Sequence, residues 1–187
     1  SYDCHEGSNA PLSAMITSPN IVAHRGASHD APENTQAAFM LAWMQGADAI
    51  EGDFRMTKDK RIVCMHDGTT GRTTNRNMVV ARATYDSLRQ LDAGGWMSPH
   101  WRGQTIPLLE DVLSALPEGK QLFLEIKAGV EMLAPLKEVL DQSPASKKQV
   151  ILMAFDTEVL KAARDLFPDF VLLMLLIRKR PARKGSW

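Results

Sequence analysis

The stretch "IVAHRGASHDAPENT", residues 21–35, decides how the fold begins. Its first three residues form a short apolar run typical of a buried strand, and His24, Arg25 and Gly26 follow without a break. The Pro-Glu-Asn-Thr segment at its end predicts the start of a helix, with Asn34 as the cap. A buried strand that ends on two cationic or nearly cationic side chains raises the question of what those side chains bind.

Composition excludes several classes of protein. The 187 residues include 22 basic and 22 acidic side chains, and a general nucleic-acid binder usually shows a basic excess. No run reaches the roughly 18 apolar residues of a membrane span. Cys4 and Cys64 lie too far apart in the sequence to suggest a disulfide framework or a zinc site. These features predict a soluble protein, and they leave a cytoplasmic and a periplasmic or secreted location equally open.

Apolar runs alternate with amphipathic stretches from residue 21 onward. Strands are predicted at residues 21–26, 49–56, 61–67, 122–127, 150–155 and 170–176. Helices are predicted at residues 35–45, 108–116, 130–140 and 157–166. This alternation predicts an α/β fold with a parallel sheet. The link at residues 57–60 is too short for a crossover helix, so the second and third strands form either a hairpin or a helix-free variant.

Three regions are predicted along the chain. Residues 1–19 are polar and form a flexible leader, residues 20–177 form the domain, and residues 178–187 form a basic tail. Five of the ten tail residues are Lys or Arg, which predicts disorder. Residues 68–107 form an irregular insertion, containing a short helix at 85–91, that is either a lid or substrate loop or a surface excursion.

Side chains alternate between the two faces of a strand, and this alternation, here called strand parity, places acidic side chains together. Glu51 and Asp53 share one face of their strand, and Glu125 and Lys127 share one face of theirs. The apolar residues of the same strands must contact the covering helices. The acidic side chains therefore face the opposite side of the sheet, near the carboxyl ends of the strands, where parallel α/β folds place their chemistry.

Three carboxylates on low-dielectric walls repel one another and lose hydration. A bound Mg²⁺ or Ca²⁺ would compensate for this cost, because hard cations prefer oxygen ligands. The alternative is a structural ion network, in which the carboxylates pair with Arg25, Arg55 and Lys127. His24 and His66 each end a predicted strand with the parity of the carboxylates, which favours general acid–base chemistry.

Several motifs resemble those of the glycerophosphodiester phosphodiesterases. They are "HRGASHDAPENT", "IEGDFRMTKDKRIVCMHD", "RTTN", "LDAGGWMSPHWRGQTIPLLEDVL" and "LEIK", and they occur in the family's order. The resemblance runs from about residue 21 to residue 176. It implies a TIM (β/α)8-type barrel that hydrolyses glycerophosphodiesters, such as glycerophosphocholine, to glycerol 3-phosphate and an alcohol, with one divalent cation, Ca²⁺ or Mg²⁺. The partner it implies is a small-molecule substrate of lipid and glycerol metabolism.

The resemblance also implies a role for each matching residue. His24 and His66 would be the acid–base pair, Arg25 and Lys127 would bind the phosphate, and Glu33 would orient His24. The metal ligands would be Glu51, Asp53 and Glu125.

The chain departs from the family pattern at its C-terminal end. A barrel of this type needs eight strands and about 250 residues, whereas six strands are predicted before the basic tail. The resemblance therefore implies a C-terminally truncated member, with a tail produced by a shifted reading frame or a truncated gene. Its open sheet edges would allow self-association.

Two other functions stay open at this point. One is a non-catalytic remnant that binds phosphate or metal. The other is a phospholipase D-like enzyme that acts on intact lipids, for which Trp96, Met97 and Trp101 would have to form an apolar rim.

Overall fold

The sheet of this protein is open and almost entirely parallel. The computed structural model describes residues 21–176; the predicted leader and basic tail lie outside these residues. Five strands follow the order β1-β2-β4-β5-β6 and run parallel, and β3 pairs antiparallel with β2. The strands are β1 Val22–His24, β2 Ala49–Met56, β3 Ile62–Cys64, β4 Gln121–Ile126, β5 Val150–Ala154 and β6 Val171–Met174.

All six predicted strands are confirmed, and the link at residues 57–60 is a hairpin. Lys60 has a positive φ of 59° in this hairpin. The third strand is therefore the hairpin partner of β2, one of the two possibilities left open by the sequence, and five of the six strands run parallel.

Four of the five helices in residues 21–176 cover one face of this sheet, and the short helix of the insertion packs in a separate core. The helices are α1 Gln36–Met44, α2 Tyr85–Leu88, α3 Leu109–Ser114, α4 Leu133–Gln142 and α5 Thr157–Leu166. Thr35, and not Asn34 as predicted, caps α1, because the Thr35 hydroxyl accepts a hydrogen bond from the amide of Ala38. The side chain of Asn34 is used elsewhere, in the site described below.

Register explains why one sheet face is apolar and the other carries acids. Ile50 pairs with Leu122, and Leu122 pairs with Val150, so these buried side chains form a row against the helices. Phe39 of α1 packs in the same core. Because successive residues alternate faces, Glu51 and Asp53 lie on the opposite side. The predicted alternation is confirmed in β2 and β4.

The insertion, residues 68–107, is a folded part of the domain. Its buried apolar side chains form one cluster with Val63 of β3 and with Met65. Apart from α2, it contains two 3-10 turns, at Val80–Arg82 and Pro99–Trp101. The insertion is thus anchored on β3 by its own core.

The two outer strands of the parallel wall each have one neighbour among the described residues, since β1 pairs with β2 and β6 pairs with β5. Val22 of β1 is 39% exposed, and Val171 and Met174 of β6 are 55% and 51% exposed. Self-association through these edges remains a prediction. Among residues 21–176, none of the helices has the length and apolarity needed to cross a membrane.

Candidate functional site

Three buried carboxylates meet where β2 and β4 lie side by side. Asp53 pairs with Glu125 across the two strands, and Glu51 lies two residues before Asp53 on the same face. One oxygen from each carboxylate lies within 4.8 Å of the others. The residues are 0% to 6% exposed, so water screens their mutual repulsion poorly.

Two cations partly neutralise this cluster. Lys127 Nζ lies 2.7 Å from Glu125 Oε1 and 3.2 Å from Asp53 Oδ1. Arg25 Nε lies 3.2 Å from Asp53 Oδ2. Two positive charges thus face three carboxylates, and one negative charge is left without a counterion.

Glu51 carries that uncompensated charge. Burial, and then the negative charge of Asp53, raise the pKa of Glu51 to about 7. Burial alone would also raise the pKa of Asp53, but a hydrogen bond from Asn34 and the nearby cationic groups outweigh it and lower the pKa. A proton on Glu51 therefore balances the cluster in the absence of a metal ion.

The residues present fit a divalent cation. Glu51 Oε1 is buried without a hydrogen-bond partner among the described residues, and the buried Asp53 Oδ1 and Glu125 Oε1 have only Lys127 Nζ beside them. Such oxygens are costly unless a cation or a donor satisfies them. An all-oxygen set of this kind matches the ligand preference of Mg²⁺ and Ca²⁺.

The ion network that the sequence offered as an alternative is present only in part. Arg25 and Lys127 pair with the acids, but Arg55 does not. Its guanidinium donates to the backbone carbonyls of His66 and Lys127, at 2.7–3.1 Å. Arg55 therefore holds the chain at the ends of β3 and β4.

His24 lies beside the acids at the end of β1. It pairs with Glu51 across the strands, and its Nε2 lies 3.8 Å from Glu51 Oε2. The side chain is 70% exposed. Partial burial and the adjacent charge of Arg25 lower the pKa of His24, so the neutral imidazole prevails at pH 7.

His66 reaches the site by a different route from the predicted one. β3 ends at Cys64, and Cys64 pairs with Phe54 in the layer opposite the acids, so strand parity does not place His66. The His66 ring is instead held by Asp67, with 2.6 Å between Nδ1 and Oδ1. His66 lines a small cavity together with Glu33 and Asn34, and the amide of Asn34 donates to Asp53.

Glu33 does not contact His24 as the sequence suggested. Its Oε1 accepts from Arg25 Nη1 at 3.0 Å, and both of its oxygens accept from Arg72. Glu33 thus orients the arginine of the His-Arg-Gly segment rather than the histidine.

Asn34 is a site residue that sequence reasoning missed. Its amide donates to Asp53 Oδ2 at 2.8 Å, and its carbonyl oxygen accepts from the Asp53 amide at 3.1 Å. Asn34 and Arg25 both have positive φ, at 58° and 59°. Asn tolerates this conformation better than most residues, so an Asn in the segment after the strand was the available signal.

Replacing Asn34 with alanine is expected to cost about 1–3 kcal/mol in the free energy of unfolding. The substitution leaves the buried Asp53 amide without a partner and Asp53 Oδ2 with only its contact to Arg25 Nε, at a position where alanine also resists a positive φ. Urea unfolding of Asn34→Ala beside the parent chain measures the cost. Equal stability would show that the Asn34–Asp53 pair contributes nothing.

Fold and site together define a class: an α/β protein with a buried acidic cluster, two histidines and two cations at one end of a parallel sheet. The sequence model of the Glycerophosphoryl diester phosphodiesterase family matches residues 24–186. The chain belongs to this family.

Relatives of known name support the assignment. A putative glycerophosphodiester phosphodiesterase from Bacillus subtilis is 40% identical over 152 residues, covering 80% of this chain and 62% of the relative. A glycerophosphodiester phosphodiesterase from Caldanaerobacter subterraneus is 34% identical over 159 residues, covering 83% of this chain and 65% of the relative. The chain thus spans less than two thirds of the length of these relatives.

Solved structures show the same fold. An Oleispira antarctica phosphodiesterase in complex with the product sn-glycerol-3-phosphate superimposes with a TM-score of 0.78 at 32% identity, covering 82% of this chain and 64% of that one. A glycerophosphodiester phosphodiesterase from Agrobacterium tumefaciens has a TM-score of 0.73 at 32% identity, covering 83% of this chain and 66% of that one. These neighbours are of the TIM-barrel type, and residues 21–176 form an open sheet of that type.

Proposed function

We propose that this protein hydrolyses glycerophosphodiesters to glycerol 3-phosphate and an alcohol, with the help of one divalent cation. The observation that carries the proposal is the meeting of three buried carboxylates with Arg25, Lys127 and His24 at the carboxyl ends of β1, β2 and β4. The Oleispira relative, whose structure holds sn-glycerol-3-phosphate, supports the choice of product. This chain spans only part of the length of its relatives, so we extend their activity to it as a proposal.

Glu51, Asp53 and Glu125 would hold the cation, Ca²⁺ or Mg²⁺. When bound, such an ion supplies Lewis-acid neutralisation of phosphoryl oxygens. In its absence, the three acids depend on Lys127, Arg25 and a proton. The unpartnered Oε1 of Glu51, together with one oxygen each of Asp53 and Glu125 that only Lys127 contacts, supports the assignment of these residues as ligands.

Arg25 and Lys127 would bind the phosphate group. Each is mostly buried beside Asp53, so its charge is poorly screened and acts strongly on an anion nearby. A cavity of about 330 Å³ lies next to Glu125 and Lys127, with Phe155 in its wall. A larger groove of about 420 Å³, near α3 and α4, contains none of the site residues.

His24 and His66 would carry out the two proton transfers. An imidazole that takes a proton from the attacking oxygen increases its nucleophilicity, and the other must give a proton to the departing alcohol, because an unassisted alkoxide is a poor leaving group. Burial and Arg25 keep His24 neutral at pH 7, and Asp67 fixes the ring of His66. The attacking oxygen belongs either to water or to the glycerol part of the substrate.

A non-catalytic remnant that binds metal or phosphate is the second candidate. The observation in its favour is the open sheet, which leaves His24 on an edge strand with a mostly exposed side chain. Catalysis requires the acid–base groups to be held in place.

The release of glycerol 3-phosphate from glycerophosphocholine separates the two candidates. The chain is assayed with Ca²⁺, with Mg²⁺ and with a chelator. Turnover that one ion supports and the chelator abolishes is the expected result. A chelator-reversible thermal shift without turnover would favour the remnant and contradict the proposal.

A further inference from the structure

Arg72 lies at the centre of a chain of alternating charges. It belongs to the Arg-Thr-Thr-Asn motif, residues 72–75, to which the proposed mechanism gives no role. Its Nη1 and Nη2 donate to the two oxygens of Glu33 at 2.9 and 2.7 Å, which is a bidentate contact. Its Nε donates to Asp67 Oδ2 at 2.7 Å.

Each of the two carboxylates also contacts a residue of the proposed mechanism. Glu33 Oε1 accepts from Arg25 Nη1 at 3.0 Å, and Asp67 Oδ1 lies 2.6 Å from His66 Nδ1. Arg72 therefore joins the loop after β1, which carries Arg25, to the loop after β3, which carries His66. The insertion supplies the link between two loops that are far apart in the sequence.

We propose that Arg72 is a positioning residue for the reaction, and this inference rests on the proposed function. Through Asp67 it fixes the orientation of the His66 ring, and through Glu33 it fixes the guanidinium of Arg25. Without Arg72, Glu33 keeps only its contact with Arg25, and Asp67 keeps only its contact with His66. Both carboxylates would then be free to rotate, so the imidazole and the guanidinium would lose their fixed geometry.

The geometry favours this role over that of an ordinary surface ion pair. A single planar guanidinium contacts both carboxylates at once, which the point charge of a lysine does not reproduce. The side chain of Arg72 is 45% exposed, so little apolar surface would be lost on its replacement. A substitution should therefore change the reaction more than the stability of the fold.

The kinetic test compares Arg72→Gln and Arg72→Lys with Arg76→Gln, a control in the same insertion. The side chain of Arg76 is exposed and makes no hydrogen bond or ion pair with the described residues. We expect both Arg72 variants to lower kcat by about 10–100-fold, the usual effect of losing a residue that orients a site residue. Their metal-induced thermal shifts and melting temperatures are expected to stay near those of the parent. Unchanged kcat in Arg72→Gln would overturn the proposal.

A double-mutant cycle shows whether Arg72 acts through Asp67. If it does, Asp67→Asn combined with Arg72→Gln lowers kcat by much less than the product of the two single effects. Two effects that simply multiply would show that the residues act independently, and this would contradict the proposed route.

A spectroscopic readout separates this inference from the proposed function. If the parent chain shows no turnover, the proposed function has failed, and positioning is still measured by NMR of the ring nitrogens and of the Nδ1 proton of His66. Arg72→Gln is expected to shift or broaden these signals, and Arg76→Gln is expected to leave them unchanged. Identical His66 signals in the parent and in Arg72→Gln would overturn the inference, whatever the activity. Should Arg72→Gln fail to fold, Arg72→Lys provides the same measurement.

Discussion

Replacing either His24 or His66 with alanine is expected to lower kcat by about 10²–10⁴-fold while the fold stays intact. Each imidazole carries one of two proton transfers in the proposed reaction. His24 is 70% exposed, so its replacement removes little packing, and His66 is 32% exposed, with its polar contact to Asp67 at the surface. Steady-state release of glycerol 3-phosphate measures kcat, and circular dichroism with a melting curve measures the fold.

His29→Ala is the matched control for these variants. His29 lies in the loop after β1, five residues beyond His24, and its side chain is 99% exposed and paired with Asp30. We expect its turnover to equal that of the parent. Near-normal turnover in His24→Ala or His66→Ala would remove that residue from the mechanism, and a large loss in His29→Ala would point to a general effect of changes in this loop.

Local pattern was enough to predict much of the fold. The bounds of β2 and α5 agree with those expected from the sequence, at residues 49–56 and 157–166. Both elements have a clear hydrophobic pattern and a definite beginning, since Asp156 caps α5. Alternation along β2 and β4 also placed three acids on one face, because parity depends only on neighbouring residues.

Contacts between distant loops could not be predicted in this way. The sequence predicts Asn34 as a helix cap. In the structure the cap is Thr35, because the Asn34 side chain binds Asp53. Arg72 reads as part of an irregular insertion, and its two carboxylate partners lie 39 and 5 residues away. No local periodicity encodes such pairs, which arise only when the sheet and the insertion have packed.

The face predicted for His66 from strand alternation was also wrong. Alternation applies only while the strand continues, but β3 ends at Cys64, two residues before His66. Beyond that point the chain follows the contacts of Arg55 with the His66 carbonyl and of Asp67 with the ring. The acids were predictable because they lie within strands, whereas this histidine lies past the end of its strand, where side-chain hydrogen bonds set its position.

Changing Glu51 to glutamine is expected to abolish metal binding without destabilising the ion-free protein. The pKa of Glu51 is raised from 4.5 to about 7 on folding, so the folded state binds the proton more tightly than the unfolded state does. The parent chain therefore loses stability as pH rises from about 4.5 to about 7 and remains less stable above that range. The loss is on the order of 3 kcal/mol. Glutamine carries no charge, so Glu51→Gln avoids this loss.

The two chains should therefore exchange their order of stability when a cation is added at pH 8. With a chelator, Glu51→Gln is at least as stable as the parent, because glutamine can still accept the hydrogen bond that Glu51 receives from the Arg25 amide. With Ca²⁺ or Mg²⁺ at about 1,000 times the dissociation constant, the parent gains about 4.1 kcal/mol, which exceeds the loss of about 3 kcal/mol. Glu51→Gln gains little, since one of three charged ligands is missing.

Thermal unfolding with and without each ion measures the exchange, and Glu138→Gln serves as the control. Glu138 is exposed on α4 and lies outside the acidic cluster, so its variant should follow the parent in both conditions. The gain of the parent should also shrink as pH falls below about 7, because the ion must then displace the proton from Glu51. Equal gains in the parent and in Glu51→Gln would show that the cation binds elsewhere, and the buried carboxylates would then have to be explained by Lys127, Arg25 and the proton alone.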